Sequence, residues 1–359
     1  MTDDRKPLPI FRSSEAVRRG HPDKLCDYLA DSLLDKTPRG TKCAFEVMAT
    51  GNTVVVGGEM GETDPKLFSG STIESAAFRA FAPACAHVVN IVQAQSEEIA
   101  GKVDAMKNNP AAGDMGLTYG YAEAGTYSLL PPSYEMATRF MHDIDANYRS
   151  WDLGVLADGK CIVSSRGGSL CRVVMALQAE KGADPEAIKR RVELDVINPA
   201  CQEMGYDYTD YQFILDCEGF VKGGIEADTG LTGRKIQNDS YGTLALNGGG
   251  SFSGKDMTKV DRSGAYYARF LARKIIQRVA KVDRCEVALD WQLGGYSPHS
   301  IVINTFGSGA DKEAWDAIGE EIMFLPEIIS RFTPKSFADY SNYGHFTHMP
   351  DRPLQPWEA

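Results

Sequence analysis

Residues 285–293 alternate with a period of two. Cys285, Val287, Leu289, Trp291 and Leu293 fall on one side, with Glu286, Asp290 and Gln292 on the other. Such alternation predicts a half-buried strand. A second strand is expected over 300–306, after a connection too short to contain a crossover helix. Parallel neighbours need a crossover of about a dozen residues or more, so mixed sheets are expected in preference to a uniform βαβ, doubly wound chain. Helical patterns lie on either side. Pro22 suits a first helical position, Asp23 lies in the first turn, and Leu25, Leu29 and Leu33 then recur every four residues on one buried face. Thr53 to Val56 is a short β-branched run, 71–89 reads as an alanine-rich helix, and Asp184-Pro185-Glu186 opens another, with Ile188, Val192 and Val196 inward. Asp311 begins a helix expected to bury Trp315, Ile318 and Ile322. The expected class is α+β with mixed sheets.

The 359 residues suit about two or three domains. No low-complexity linker or sharp repeat divides them. Residues 97–116 carry Gly101, Asn108-Asn109-Pro110 and Gly113 with little apolar periodicity. A long loop is expected there, as either a functional lid or a plain surface linker. The net charge of −11 argues against general nucleic-acid binding but leaves room for a local cationic pocket. The cysteines Cys26, Cys43, Cys85, Cys161, Cys171, Cys201, Cys217 and Cys285 form no C-x-x-C and have no zinc spacing. Reduced, mostly buried thiols are expected. The N-terminal MTDDRKPLPIF lacks the apolar segment of a signal peptide, and no run approaches a membrane span. The expectation is a soluble, cytoplasmic protein.

The chemistry concentrates in three segments. Residues 248–264 read GGGSFSGKDMTKVDRSG, where Gly249, four residues, then Gly254-Lys255 match the phosphate-loop pattern G-x-x-x-x-G-K. The following position should carry the hydroxyl that reaches Mg²⁺, and here it is Asp256. The preceding 244–247 is also a poor strand, so a true P-loop is not expected. Lys255 and Lys259, four apart, share a face if the segment is helical, with Asp261 beside them to hold Mg²⁺. A solvated, charged helix start would have no need of so many glycines. Upstream, Asp228-Thr229-Gly230-Leu231-Thr232-Gly233-Arg234-Lys235 places adjacent cations after a turn. Gly20-His21-Pro22-Asp23-Lys24 sits at a helix start, where free N–H groups favour anions. Taken alone, an Arg-Lys pair is surface charge and a single His is structural. Together the segments interleave cations with a few carboxylates, which suits a Mg²⁺-nucleotide polyphosphate. No G-x-S-x-G elbow or H-E-x-x-H pair is present. The residues leave open which bond breaks.

In order and in spacing, GHPDK (20–24), GDMG (113–116), GLTGRK (230–235) and GGGSFSGKDMTKVDRS (248–263) resemble the methionine adenosyltransferase (S-adenosylmethionine synthetase) family. Weaker similarity runs from about Ser13 to Pro356-Trp357-Glu358. The resemblance implies attack of the methionine sulfur on C5′ of ATP. The triphosphate is displaced, then hydrolysed to pyrophosphate and phosphate. It implies that His21 hydrogen-bonds near the departing oxygen and that Asp23 and Asp261 each hold a Mg²⁺. Lys160, in Asp158-Gly159-Lys160, contacts phosphate. Arg234, Lys235, Lys255 and Lys259 surround the triphosphate, Lys259 being shared with methionine. Asp158, Phe220 and Asp228 lie at the ATP site, Asp228 also facing methionine. Glu59, Gln95 and Asp114 line the methionine site, and Glu46 holds K⁺. In such a loop Asp256 need not replace a metal-binding hydroxyl.

The implied fold is three similar domains of mixed sheet covered by helices, approximately 11–105 ending in a mobile gate loop, 111–224 and 226–358, with segments interleaved in space. A homodimer with shared active sites is implied, and a tetramer is left open. Departures from the family pattern are Arg18-Arg19 before GHPDK, Met115 in GDMG, Gly219 before Phe220, Asn247 before the triple glycine, and residues 122–126. They bear on substrate range and kinetics. Two alternatives are adenosyl transfer to a methionine analogue and a non-catalytic, nucleotide-binding regulatory paralogue.

Overall fold

The computed structural model describes residues 12–61, 70–81, 87–95 and 110–359. Its strands form three sheets. In the first, Arg12–Val17 lies antiparallel to Val155–Arg166, with Val17 opposite Lys160. A hairpin leads to Ser169–Ala179, and Gln212–Asp216 adds in parallel. In the second, Gly230–Leu231, Cys43–Thr50 and Thr53–Met60 are antiparallel, while His87–Asn90 and Gln93–Ala94 both run parallel to Thr53–Met60. In the third, Arg284–Trp291 is flanked by Ser300–Asn304 and Gly116–Glu123, both antiparallel. Parallel and antiparallel pairs thus occur side by side, and the chain is α+β with mixed sheets.

Each sheet packs helices against a cluster of buried apolar side chains. Pro132–Asn147 and the helical stretch 185–204 cover the first, around Phe140, Val163, Val173 and Val196. Pro22–Leu34 and Gly70–Phe81 cover the second, around Leu29, Leu33, Phe45 and Val56. Val260–Arg278 covers the third, around Phe270, Val287, Leu289 and Trp291. The sheets do not follow the linear boundaries 11–105, 111–224 and 226–358. Arg12–Val17 pairs within the sheet of 155–216, Gly230–Leu231 closes the sheet of 43–60, and Gly116–Glu123 edges that of 284–304.

Several sequence expectations need correction. The helix expected over 71–89 is Gly70–Phe81, and Val88 and Val89 lie in the strand His87–Asn90. Their β-branched side chains favour the pleated position opposite Val54 and Val55. The strand at 285 ends at Trp291, with Leu293 in the turn beyond it. The helix at Asp311 ends at Ile318. Ala314 and Ile318 enter the core, whereas Trp315 is 44% exposed and Ile322, out of phase after a 3₁₀ turn, 46% exposed. The long loop expected over 97–116, including the gate, lies outside the described residues up to 109. The seven described cysteines are free, and six of them are buried. Burial pushes the thiols of Cys43, Cys161, Cys201 and Cys285 up to about 12.

The C-terminal residues close the third core. Trp357 stacks on Tyr266 with ring centroids 3.6 Å apart and donates its indole N–H to His345 O at 2.9 Å. Buried Arg269 on Val260–Arg278 holds Glu358 through two bonds, at 2.8 and 2.9 Å. Burial of the guanidinium disfavours its charge, and Glu358 restores it. Glu358→Ala would leave that cation buried without its counter-charge, a change costing about 3–5 kcal/mol. A marked fall in the urea midpoint at pH 7 is expected, and an unchanged midpoint would show that the terminal carboxylate does not secure this core.

Candidate active site

The site is built outward from the helix Pro22–Leu34. His21 is its N-cap, and Nδ1 accepts from the amide of Asp23 at 3.2 Å. That bond assigns the ring proton to Nε2, leaving an outward donor. Burial, then the charge of Lys235, holds the imidazole below its usual pKa. His21 is therefore neutral at pH 7.

Asp23, Asp27, Asp31 and Asp35 recur every four residues, so they share one helix face. Each accepts a backbone N–H from a distant segment. Asp23 binds Leu231 N at 2.9 Å, Asp27 binds Gly233 N at 2.9 Å, Asp31 binds Gly254 N at 2.8 Å, and Asp35 binds Phe337 N at 2.7 Å. The two cation-bearing loops, 230–235 and 248–259, are thereby hung on one helix. Side-chain cations balance the carboxylates. Lys235 reaches Asp23 at 2.7 Å and Arg234 lies 3.6 Å from it. Buried Lys24 joins Asp27 at 3.0 Å and Asp239 at 2.5 Å. Burial raises the Asp239 carboxyl to about 7, against the pull of Lys24. Arg262 grips Asp31 at 2.7 and 3.0 Å.

Among these residues, Asp27, Asp31 and Asp239 escape the sequence reading, which covers Lys24 and Arg262 only as members of their motifs. The four-residue period of the acids was a visible signal.

The geometry excludes a P-loop. Among the described residues no strand leads into 248–255. The Asp256 carboxylate is buried and turned to the backbone, accepting from Cys43 N at 2.8 Å and Thr258 N at 2.7 Å. It shapes the loop and takes no place among the outward groups. Gly254, at φ +81°, passes its carbonyl to Phe45 N at 2.9 Å. A methyl group on Gly250 would sit 2.2 Å from Cγ of Asp261, so the loop backbone lies directly on that carboxylate.

The outward groups form linked pairs. Lys255 contacts Asp261. Lys259, the N-cap of Val260–Arg278, reaches Glu59 at 2.8 Å, and Glu59 accepts from Gln95 at 3.3 Å. Gly113 N bonds Thr258 O at 3.0 Å, bringing the GDMG segment to the same loop. Asp114 itself is exposed and caps Met115 N at 2.7 Å. Lys160 pairs with Glu15 at 2.8 Å. It and Asp158 both act electrostatically on His21, so the end of the first sheet borders the helix start. Asp158 is occupied by Gly159 N at 2.7 Å and Gly224 N at 2.8 Å, and positions backbone. Phe220 is half-buried and Asp228 exposed, its carboxylate on Thr229 N at 2.8 Å; neither bonds to the glycine-rich loop. Glu46 faces the open side of the second sheet, lining with Glu59 and Gln93 a concavity of about 670 Å³. Arg18, a departure from the family pattern, is buried with Asp145 at 2.8 Å and lies over the Tyr148 ring at 4.5 Å. That carboxylate and ring balance the change.

The arrangement is an array of at least five cations around a glycine-rich backbone, each paired with one of the carboxylates Glu15, Asp23, Glu59 and Asp261. The models of the S-adenosylmethionine synthetase N-terminal domain and C-terminal domain match residues 10–97 and 222–359. The chain belongs to the S-adenosylmethionine synthetase family. It is 34% identical over 365 residues to the S-adenosylmethionine synthase of Mycoplasmopsis pulmonis, covering 96% of this chain and 95% of that one. For the enzyme of Roseobacter denitrificans the figures are 34% over 368 residues, 94% and 93%. For that of Mycoplasma genitalium they are 33% over 361 residues, 96% and 92%.

Gly250→Ala tests the contact with Asp261. Something must shift to admit the methyl group, and a 1 Å misplacement of a reacting group can cost about 10² in rate. The reaction for which the family is named should slow by about that factor, with the melting temperature nearly unchanged. Normal turnover would show that the loop can back away from Asp261 freely.

Proposed function

We propose that the protein makes S-adenosylmethionine from ATP and L-methionine. The sulfur lone pair attacks C5′, a C–S bond forms, and the C5′–O bond breaks with its electron pair on the triphosphate. The triphosphate is then hydrolysed to pyrophosphate and phosphate. The observation that carries this reading is the cation array: Arg234 and Lys235 on Asp23 next to His21, with Lys255 and Lys259 on the second loop hung on the same helix. A thioether has no proton to lose, so no general base is required, and a polyanionic leaving group is served by preorganised positive charge.

In this reading His21 donates Nε2–H toward the departing oxygen, and Lys160, Arg234, Lys235 and Lys255 hold the phosphates. Asp158, Phe220 and Asp228 border the nucleotide. Glu59, Gln95, Asp114, Asp228 and Lys259 receive methionine.

The donors fit hard cations. Asp23 and Asp261 offer carboxylate oxygens beside lysines that would hold phosphate. That suits Mg²⁺, which takes one or two carboxylates plus substrate phosphates. Bound there, Mg²⁺ would neutralise the leaving group's charge. Glu46 is the proposed K⁺ ligand.

We further read the three sheets as three domains of a homodimer with shared sites. The sheets expose the apolar side chains Met48, Ile162, Ile214, Leu117 and Val302, which a partner subunit would cover. Among the described residues no helix is long and apolar enough to cross a membrane. A cytoplasmic location is part of the proposal.

Mixing the protein with ATP, methionine, Mg²⁺ and K⁺ should yield a sulfonium product with the mass of S-adenosylmethionine, with pyrophosphate and phosphate in equal amounts and no ADP. Asp23→Asn and Asp261→Asn should each suppress it. ADP with a phosphorylated acceptor would indicate a kinase, faster turnover of an analogue would redirect the substrate, and binding without turnover would indicate a regulatory paralogue. Lys255→Ala should lower kcat about 10²–10³-fold, roughly 3–4 kcal/mol, with little change in ATP affinity. Near-normal kcat would remove Lys255 from the site.

Glu46→Gln should weaken activation by K⁺ while leaving the Mg²⁺ requirement intact. The assignment fails if replacing K⁺ with a larger organic cation leaves the wild type unaffected.

A further inference from the structure

We infer that Asp31 and Arg262 are positioning residues: a buried clamp that fixes the backbone of Gly254 and Lys255 and so aims the Lys255 ammonium. The inference rests on the adenosyltransferase reading of the site. Neither side chain is exposed to solvent. The guanidinium makes a forked contact with both oxygens of Asp31, at 2.7 and 3.0 Å. Nη1 also donates to Lys255 O at 3.0 Å, and Nε donates to Tyr266 Oη at 2.9 Å. Asp31 takes the amide of Gly254 at 2.8 Å.

Three backbone groups in succession are thereby held: Gly254 N by Asp31, Gly254 O by Phe45 N, and Lys255 O by Arg262. The Lys255 side chain leaves a backbone whose direction is set on both sides. The clamp is itself aligned. Tyr266 Oη, which accepts the Arg262 bond, is in turn hydrogen-bonded to Nδ1 of buried His345 at 2.7 Å. The Phe337 ring packs on the guanidinium, 4.4 Å from its carbon. Arg262 also follows Asp261 on the helix, so fixing one residue inward orients the carboxylate that contacts Lys255.

Stability alone does not account for this arrangement. A buried ion pair is weak evidence for stability, because desolvation offsets most of its attraction. What a planar fork adds is geometry: two parallel bonds define an angle as well as a distance. Lysine keeps the charge but not the fork. The conservative variant therefore separates charge from direction.

Arg262→Lys and Asp31→Asn should each lower kcat by about 10²-fold, the scale of a 1 Å misplacement. The KM for methionine should stay within about threefold. The affinity for Mg²⁺-tripolyphosphate, measured by calorimetry, should weaken at least about tenfold. Tyr266→Phe, which leaves the fork but removes its alignment, should fall between these variants and the wild type. Lys312→Gln is the control. Among the described residues Lys312 pairs with Asp316 on the exposed face of its own helix, so turnover should be unchanged. All rates are taken at a temperature where circular dichroism shows each variant fully folded.

Wild-type kcat in Arg262→Lys and Asp31→Asn would overturn the clamp, as would equal losses in tripolyphosphate affinity and methionine KM. A wild type that makes no sulfonium product would instead overturn the adenosyltransferase reading. The clamp would then stand or fall on whether Arg262→Lys weakens tripolyphosphate binding.

Discussion

The row of carboxylates on the helix Pro22–Leu34 and its C-terminal end is the constraint from which the rest of the site follows. An ionised carboxylate only accepts hydrogen bonds, and bonds to charge are stronger than neutral ones. Placed every four residues along a rigid helix, Asp23, Asp27, Asp31 and Asp35 act as a ruler. They set where residues 231, 233, 254 and 337 must lie. Burying such groups is costly unless they are bonded and neutralised. The necessary positive charge comes from Lys24, Arg262 and Lys235. A device that docks loops therefore gathers cations as a physical consequence. At its first residue, buried Asp23, the gathered cations Arg234 and Lys235 border the site.

This resolves an apparent conflict in the composition. A chain with net charge −11 repels polyphosphate at long range, yet the site presents Lys160, Arg234, Lys235, Lys255 and Lys259. Interactions between exposed charges fade within a Debye length of about 8 Å at physiological salt, so a local array outweighs the distant excess. His21 contributes direction rather than charge. Its proton is fixed on Nε2 by the same helix start that places Asp23.

Much of the site was legible because its motifs are local. GHPDK, GLTGRK and the glycine-rich stretch each carry their cations within a few residues of the backbone that holds them. The fold class was legible from the period of two at 285–291. The ruler was not, although its period was plain. Acids at four-residue spacing normally mark a solvated helix face, and what buries them lies roughly 200–300 residues away in sequence. The same long-range packing defeated the helix expected over 71–89, where pairing with Val54 and Val55 outweighed the alanine-rich context. It also defeated the inward placement of Trp315, since Ala314 and Ile318 already fill the space beneath the helix. Asp256 was read correctly as foreign to a P-loop, but its bonds to Cys43 and Thr258 depend on a strand that the sequence does not place beside it.

Interleaving has a consequence for how the site is assembled. Arg12–Val17 waits for Val155–Arg166, and Pro22–Leu34 waits for residues 231–254. Until those later segments arrive, Asp27 has Lys24 of its own helix and the other acids lack their long-range partners. Non-local contacts of this kind must offset loop-closure entropy before they stabilise anything. Once closed, however, the loops cannot loosen singly. Releasing 230–235 takes Lys235 from buried Asp23 and an amide from Asp27, and releasing 248–255 takes an amide from Asp31 and a carbonyl from Arg262; a buried charge left without its partner costs several kcal/mol. The cation array is therefore as rigid as the cores beneath it. That rigidity suits a reaction driven by preorganised charge, and the opening that admits substrates must come from elements outside this frame.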